Sequence, residues 1–298
     1  MNTLNLLVKS YARLDYYPGL PFWVLTPFRK ALRFIARHTL PSHMAKPANH
    51  EQKQTTDIIV SFTSFPARID NVWQVVECML RQTYLPHKIL LWLSKEQFPT
   101  PDSIPASLRQ RENDIFQIRM VDGDIRSHKK YYYVSKEYPD SLIFLIDDDI
   151  YYDTQILERT VKAHQDNPEA VICNYGYHVT YDTDGNLKPY NKWTHETGTS
   201  YSPDLFFGSG GGTLFRPSDL PPDLTDIDSA LSCCPIADDI WLNTMVRLAG
   251  RPIVMLRNGI ILPIFNANNV ELRTQNQDQS KNDQQLQAVN SHYKQQIF

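Results

Sequence analysis

Residues 141–149 read Ser-Leu-Ile-Phe-Leu-Ile-Asp-Asp-Asp, a short apolar run that stops at three consecutive carboxylates. Apolar residues at successive positions mark a strand covered on both faces, because a half-buried strand alternates apolar with polar. Three acids at its carboxyl end must then sit in water or on a cation, since an unpaired carboxylate is too costly to bury. Successive side chains leave a strand on opposite sides, so Asp147 and Asp149 share one side while Asp148 points elsewhere. Such a pair suits Mg²⁺ or Mn²⁺, hard cations that take oxygen ligands and bridge the oxygens of a diphosphate. An acidic turn after a core strand is the plainer alternative, but open α/β sheets hold their ligands beyond the carboxyl ends of strands.

A strand buried on both faces needs helices to cover it, and the preceding residues supply the pattern. Asp57 to Thr63 reads as a buried strand, followed by the turn Ser64-Phe65-Pro66 and a helix from about Ile69 to Gln82. Val72, Val75, Val76, Met79 and Leu80 form the apolar stripe of that helix. Further strands are expected at Lys88–Leu93 and Ile115–Met120. Strand, helix and strand in alternation give βαβ units and a largely parallel sheet.

Several polar residues fall where those strands end. Ser61 and Thr63 close the first, with Arg68 at the following helix start; Ser94 closes the second; Asp122 and Asp124 close the third. Together they are candidates to hold a base, a ribose and a phosphate, although Ser, Asp and Gly are also ordinary turn formers. Lys129 and Lys130, before the acidic triplet, are placed to offset diphosphate charge.

Composition sets looser bounds. The 298-residue chain is 42% hydrophobic with a formal net charge of −3, enough for one large core and without the basic excess of a nucleic-acid binder. Cys78, Cys173, Cys233 and Cys234 lack zinc-like spacing and, with no secretory leader apparent, fit a reducing cytoplasm. Residues 1–40 differ from the rest, with six Lys and Arg against the single acid Asp15 and no apolar run long enough to span a bilayer. From Pro27 to Leu40, Phe28, Leu32 and Ile35 fall on one helical face and Arg29, Arg33 and Arg37 near another. Such a helix either lies on an anionic membrane surface or docks on the protein's own core. Residues 41–56 read as a polar linker, dividing the chain into a basic extension, 1–56, and a catalytic unit, 57–298.

The segments Val60 to Arg68, Gln82-Thr83 with Pro86, Leu91 to Ser94 with Phe98-Pro99, Lys129-Lys130 and Asp147 to Ile150 resemble bacterial glycosyltransferases of surface-polysaccharide loci (capsule, O-antigen or lipooligosaccharide), family-two-like enzymes with a GT-A fold. The resemblance covers roughly Asp57 to Phe265. It implies a three-layer α/β/α sandwich with a mostly parallel central sheet and a hexosyltransferase-like activity. The implied partners are a nucleotide-sugar donor, a UDP-sugar first among them, and a saccharide or lipid-linked saccharide acceptor. It also implies Mn²⁺ or Mg²⁺ on Asp147 or Asp149, with Asp148 beside the donor, and placement in the cytoplasm or on the cytoplasmic face of the inner membrane. In such enzymes that invert the anomeric centre, an acidic pair carries the base that deprotonates the acceptor; Asp239, with Asp238 second, resembles it, while Asp at a helix start is otherwise only a cap.

Phe206-Phe207 and the glycine run Gly208 to Gly212 read either as an acceptor platform, with aromatic faces and close backbone approach, or as a flexible turn. The Asn/Gln-rich segments Asn266 to Asn269 and Asn276 to Gln287 read as a lid or a solvated end, and His292 as a surface histidine or a cation ligand. Two other functions compete. A sugar nucleotidyltransferase also needs acids and a cation, but usually has a glycine-rich basic loop where this chain has Ser64 to Arg68. A carbohydrate-binding protein without turnover would leave both acidic clusters without a role.

Overall fold

The computed structural model describes residues 2–14, 22–46, 48, 54–196, 198–256, 261–265 and 281–298. Eight strands form its main sheet: β1 Ile59–Thr63, β2 Lys88–Ser94, β3 Phe116–Val121, β4 Ile143–Leu145, β5 Val171–Cys173, β6 Ser200–Tyr201, β7 Thr213–Phe215 and β8 Ile253–Met255. Their order across the sheet is β6-β8-β5-β7-β4-β1-β2-β3. The pairs β1/β2, β2/β3, β1/β4 and β5/β8 are parallel. β7 runs antiparallel between β4 and β5, and β6 is an antiparallel edge beside β8.

The pleat sends alternate side chains of the central strands into two separate cores. Val60, Phe62, Ile89, Leu91 and Phe144 enter one; Ile59, Leu90, Trp92, Ile143 and Leu145 enter the other. Helices α1 Thr3–Arg13, α2 Phe22–Met44 and α3 Val72–Leu80 cover the first face through residues such as Leu4, Leu40 and Val76. Helices α4 Lys129–Glu137, α5 Asp238–Leu248 and α6 Lys281–Tyr293 cover the second through Tyr131, Trp241 and Leu286. The chain is therefore a three-layer α/β/α sandwich with a mostly parallel central sheet, the arrangement expected from the sequence. Strand order sets the position of the site. The chain passes from β1 outward to β2 and β3, then returns to place β4 on the other side of β1. The helices on either side of that reversal diverge, leaving a crevice beyond the carboxyl ends of β1 and β4.

The amino-terminal region departs from its expected form. Residues Pro41 to Met44, read as the start of a linker, continue α2. Leu40 and Met44 are fully buried, and with Leu4, Leu7, Val8, Tyr11 and Ala36 they join the same core as the sheet. Asn5 Nδ2 donates to Thr154 Oγ1 (2.7 Å) and Lys9 Nζ to Gln155 Oε1 (2.7 Å), tying α1 to residues just past the acidic triplet. Among the described residues, α1 and α2 thus pack into the first of the two cores. The inward face of α2 is Leu25, Leu32, Ala36, Leu40 and Met44, so the Phe28, Leu32, Ile35 face read from sequence is split: Leu32 packs inward while Phe28 and Ile35 are exposed. Two faces of this helix carry apolar residues, and periodicity alone does not choose between them.

If α2 belongs to the main core, Leu40→Ala should lower the unfolding free energy by about 2–5 kcal/mol, the range for truncating a buried leucine. Ile35→Ala, on the exposed side, should change it by less than about 1 kcal/mol. Chemical denaturation followed by circular dichroism measures both; a Leu40→Ala effect as small as that of Ile35→Ala would detach α2 from the core.

Candidate active site

The crevice holds a cavity of about 690 Å³, within the range of small-molecule sites. Asp147, Asp148 and Asp149 line it at the end of β4, Thr63, Ser64 and Arg68 after β1, Asp124, Lys129 and Lys130 after β3, and Asp238 and Asp239 at the start of α5. The three carboxylates of the triplet have different surroundings. Asp148 is buried, accepting from Ser64 Oγ (2.5 Å) and Arg68 Nη1 (2.8 Å). Arg68 Nη1 also lies 2.9 Å from Asp149 Oδ2. Asp147 accepts from Lys130 Nζ (2.9 Å), and its backbone N–H donates to Tyr152 Oη (2.8 Å). The side chains of Asp147 and Asp149 keep 40% and 28% of their area exposed, against 6% for Asp148, so the outer two face the cavity more openly.

The second acidic set comes from the opposite wall. Lys130 Nζ, buried, lies 3.0 Å from Asp238 Oδ2 as well as bonding Asp147, so one ammonium joins the strand end to the helix start. Asp239 Oδ1 accepts from the Ser209 backbone N–H (2.8 Å) and hydroxyl (2.5 Å). The residue before the helix is Ala237, and neither aspartate serves as its cap; they bind Lys130 and Ser209, not their own helix end. Burial comes first in raising Asp149 to about 7, with the charge of Asp148 second. Burial, then the charge of Asp238, likewise pushes Asp239 up to about 6. Burial acts to neutralise Lys130, but Asp147, Asp238 and Asp239 outweigh it and hold the amine charged well past the ordinary lysine range. Five carboxylates thus surround two cations, Arg68 and Lys130, which leaves a surplus of negative charge that adds to burial in raising the acids.

That surplus is the condition a divalent cation relieves. Among the described residues no group of three or more His, Cys, Asp or Glu has the arrangement to hold a metal ion. Mg²⁺ needs no such cage, because it is commonly held by one or two carboxylates with substrate phosphates completing the shell. Asp147 and Asp149, the two more exposed carboxylates of the triplet, are the ones that could serve in this way, although Lys130 and Arg68 now pair with them.

Other expected contacts fall elsewhere. Ser61 is sealed inside the protein, donating to the Lys130 carbonyl (2.5 Å) and accepting from Trp92 Nε1 (2.9 Å), so it supports α4 without reaching the cavity. Ser94 is buried and accepts from the Glu96 backbone N–H (3.2 Å), closing a turn. The Asp122 side chain is 88% exposed and pairs with Lys95 outside the cavity. Thr63 lines the cavity but donates to the Trp92 carbonyl (2.7 Å), and Lys129 is paired with Asp124. In β1 and β2 the phase of the pleat decides which side chains point outward, and a fully apolar strand does not reveal that phase.

The aromatic and glycine readings need correction. Phe206 and Phe207 are buried in the core and offer no face to a sugar. The close approach made by the glycine run is to the protein itself: a Cβ on Gly210 would fall on the Asp147 carboxylate, and Gly212 adopts φ +101° against Phe144. Tyr175, Tyr177 and Tyr190, which the sequence reading passed over, line the cavity instead, with Tyr175 Oη 2.7 Å from Tyr177 Oη. Alternation of tyrosines just after β5 was the available signal. Gln97, Arg126, Lys281 and Asn282 also line it. His292 is exposed on α6, away from the cavity lining; residues 266–269 and 276–280 of the Asn/Gln-rich segments lie outside the described residues.

No protein-family model matches the chain, and no curated protein matches it. Among solved structures it is similar to CMP:2-keto-3-deoxy-manno-octonic acid synthetase complexed with CTP, at 12% identity over 72% of this chain and 93% of that one, with a TM-score of 0.42. It is also similar to apo-UDP-glucose pyrophosphorylase, at 9% identity over 82% of this chain and 99% of that one, TM-score 0.43. The same type of enzyme complexed with UDP-glucose gives 10% identity, the same coverages and a TM-score of 0.41. At these values the site has to be read from its own residues.

Lys130→Met should destabilise the protein by about 3–5 kcal/mol at pH 7.5, because it strands carboxylates that the ammonium now neutralises. The stranded acids would have folded pKa values raised further above their unfolded ones, and a raised acid loses stability as pH rises. The deficit relative to wild type should therefore shrink near pH 5, and Asp238→Asn added to Lys130→Met should recover part of it. Denaturant titrations at the two pH values test this; a deficit independent of pH would mean that packing, not charge, is what Lys130 supplies.

Proposed function

We propose that this chain is a metal-dependent glycosyltransferase that moves a sugar, with inversion, from a nucleotide-sugar donor to a saccharide or lipid-linked saccharide acceptor in bacterial cell-surface polysaccharide synthesis. The observation that carries the reading is the presence of two acidic sets on opposite walls of one cavity, joined by Lys130 and differing in how their carboxylates are held. Asp147 and Asp149 would hold Mg²⁺ or Mn²⁺, which supplies charge neutralisation to a departing diphosphate. Asp238 pairs with Lys130 and also lies 3.0 Å from Ser209 Oγ, whereas Asp239 accepts from both the backbone N–H and the hydroxyl of Ser209 and has its basicity raised toward neutrality. That makes Asp239 the better base for an acceptor hydroxyl. In the reaction the hydroxyl proton passes to Asp239, the oxygen bonds the anomeric carbon, and the anomeric C–O pair leaves with the nucleoside diphosphate, UDP in the favoured case. Tyr175, Tyr177 and Tyr190 are suited to pack against the sugar rings of the acceptor.

A donor screen with Mn²⁺, detecting released nucleoside diphosphate, should find turnover that chelator abolishes. Release of pyrophosphate from a nucleoside triphosphate and sugar phosphate would instead assign a sugar nucleotidyltransferase; sugar binding without either product would assign a binding protein. Asp239→Asn should cut transfer by ~10²-fold or more while donor binding persists, and Asp149→Asn should weaken donor binding in the presence of metal. Because Asp239 must be ionised to accept a proton, kcat/KM should fall below a pH of about 6. A profile flat to pH 5 would remove Asp239 from that role.

A further inference from the structure

Helix α2 carries a second apolar stripe that the core does not use. Opposite its buried face, Trp23, Pro27, Phe28, Ala31, Phe34 and Ile35 recur every three to five positions and are all exposed. Trp23, Phe28 and Phe34 keep 74%, 61% and 65% of their area in solvent. With Leu6 on α1, five of the eight exposed large hydrophobic residues among those described lie on this one helix pair. A soluble surface seldom gathers large apolar side chains in this way unless something covers them.

Charge identifies the cover. α2 contains no acidic residue, and Lys30, Arg33 and Arg37 are exposed along one flank of the stripe. The first fifty residues hold seven Lys and Arg against Asp15 alone, while the whole chain is net −3, so the positive charge is concentrated where the apolar stripe is. A second copy of this chain would bring two basic helices together with no acid on either, a repulsive arrangement. An anionic lipid surface matches both features, taking the apolar stripe at the level of the acyl chains and the basic flank at the phosphates. No helix among the described residues is long and apolar enough to cross a membrane.

We propose that the outward stripe of α2, Trp23, Phe28, Phe34 and Ile35 flanked by Lys30, Arg33 and Arg37, docks the folded protein flat on an anionic bilayer surface. Because the opposite face of the same helix is core, docking orients the whole sandwich and is independent of the reaction proposed above. Arg37 further sets its guanidinium 3.5 Å over the Phe265 ring, and the neighbouring Ile264 N–H donates to the Asp149 carbonyl (2.6 Å), so the docking helix touches the segment that abuts the acidic triplet.

Point substitutions on the outward side test this without disturbing the core. Purified full-length protein should co-sediment with vesicles of phosphatidylcholine containing phosphatidylglycerol, and not with phosphatidylcholine alone. Binding should weaken as salt rises. Phe28→Ser with Phe34→Ser should lower the partition coefficient by about tenfold or more, and Lys30→Gln by about fivefold, with the thermal unfolding midpoint of each variant close to wild type. Equal binding to neutral vesicles, no binding to either, or binding unchanged by Phe28→Ser with Phe34→Ser would overturn the proposal. So would a dimer, seen by light scattering, that those substitutions dissociate, since the stripe would then be covered by a second copy.

Discussion

A buried ammonium group joins the two walls of the cavity, and the geometry of the site depends on it. Lys130 reaches Asp147 at 2.9 Å and Asp238 at 3.0 Å, from the first turn of a helix that packs under β1 and β4. Its own carbonyl accepts from Ser61, whose hydroxyl in turn accepts from Trp92 Nε1, so the lysine is anchored through the sheet. Burial alone would favour the neutral amine; the surrounding carboxylates reverse that preference. The pair Arg68 with Asp148 and Asp149 repeats the arrangement on the other side of the triplet. Both cations hold carboxylates in place, and neither balances all of them.

Why these groups meet follows from topology more than from local sequence. The reversal of strand order between β1 and β4 leaves a crevice that covering helices cannot fill. The antiparallel β7, pairing with both β4 and β5, is preceded by the tight glycine turn beneath Asp147. The absence of a side chain at Gly210 is what gives the Asp147 carboxylate room, and the Ser209 beside it fixes Asp239. A single turn therefore serves both acidic sets, although the two lie some ninety positions apart in sequence.

The layered architecture was legible because strands buried on both faces leave largely apolar runs, as at Ile89 to Leu93 and, broken only by Ser61, at Ile59 to Phe62. The two acidic clusters were legible because carboxylates beside such runs have few places to go. Ser61 and Ser94 were not, since a wholly buried strand carries no signal of which side chains face the crevice. Phe206, Phe207 and the glycine run illustrate the same gap from another direction: aromatic and glycine residues meet the needs of close packing and of ligand contact equally well, and only the neighbours decide. For α2 the sequence showed amphipathicity but not that two apolar faces exist, because Leu25 and Met44, at the ends of the inward stripe, lie outside the Pro27 to Leu40 window.

The distribution of charge around the cavity constrains how an anionic ligand can enter. Six acids and five bases line it, so the walls are close to balance as a whole. The balance is uneven, however: Asp124 is neutralised by Lys129, five acids share Arg68 and Lys130, and Arg126 and Lys281 remain on other parts of the wall. A diphosphate approaching the triplet alone would add negative charge where Asp149 is already raised to about 7 by burial and by Asp148. Repulsion between such groups in a partly desolvated site amounts to several kcal/mol at an effective dielectric near 20, about 4 kcal/mol for a single pair of charges 4 Å apart. A divalent ion accompanying the diphosphate would offset that repulsion. The surplus of carboxylates around the triplet therefore disfavours an unaccompanied diphosphate there, while Arg126 and Lys281 place positive charge on other parts of the wall.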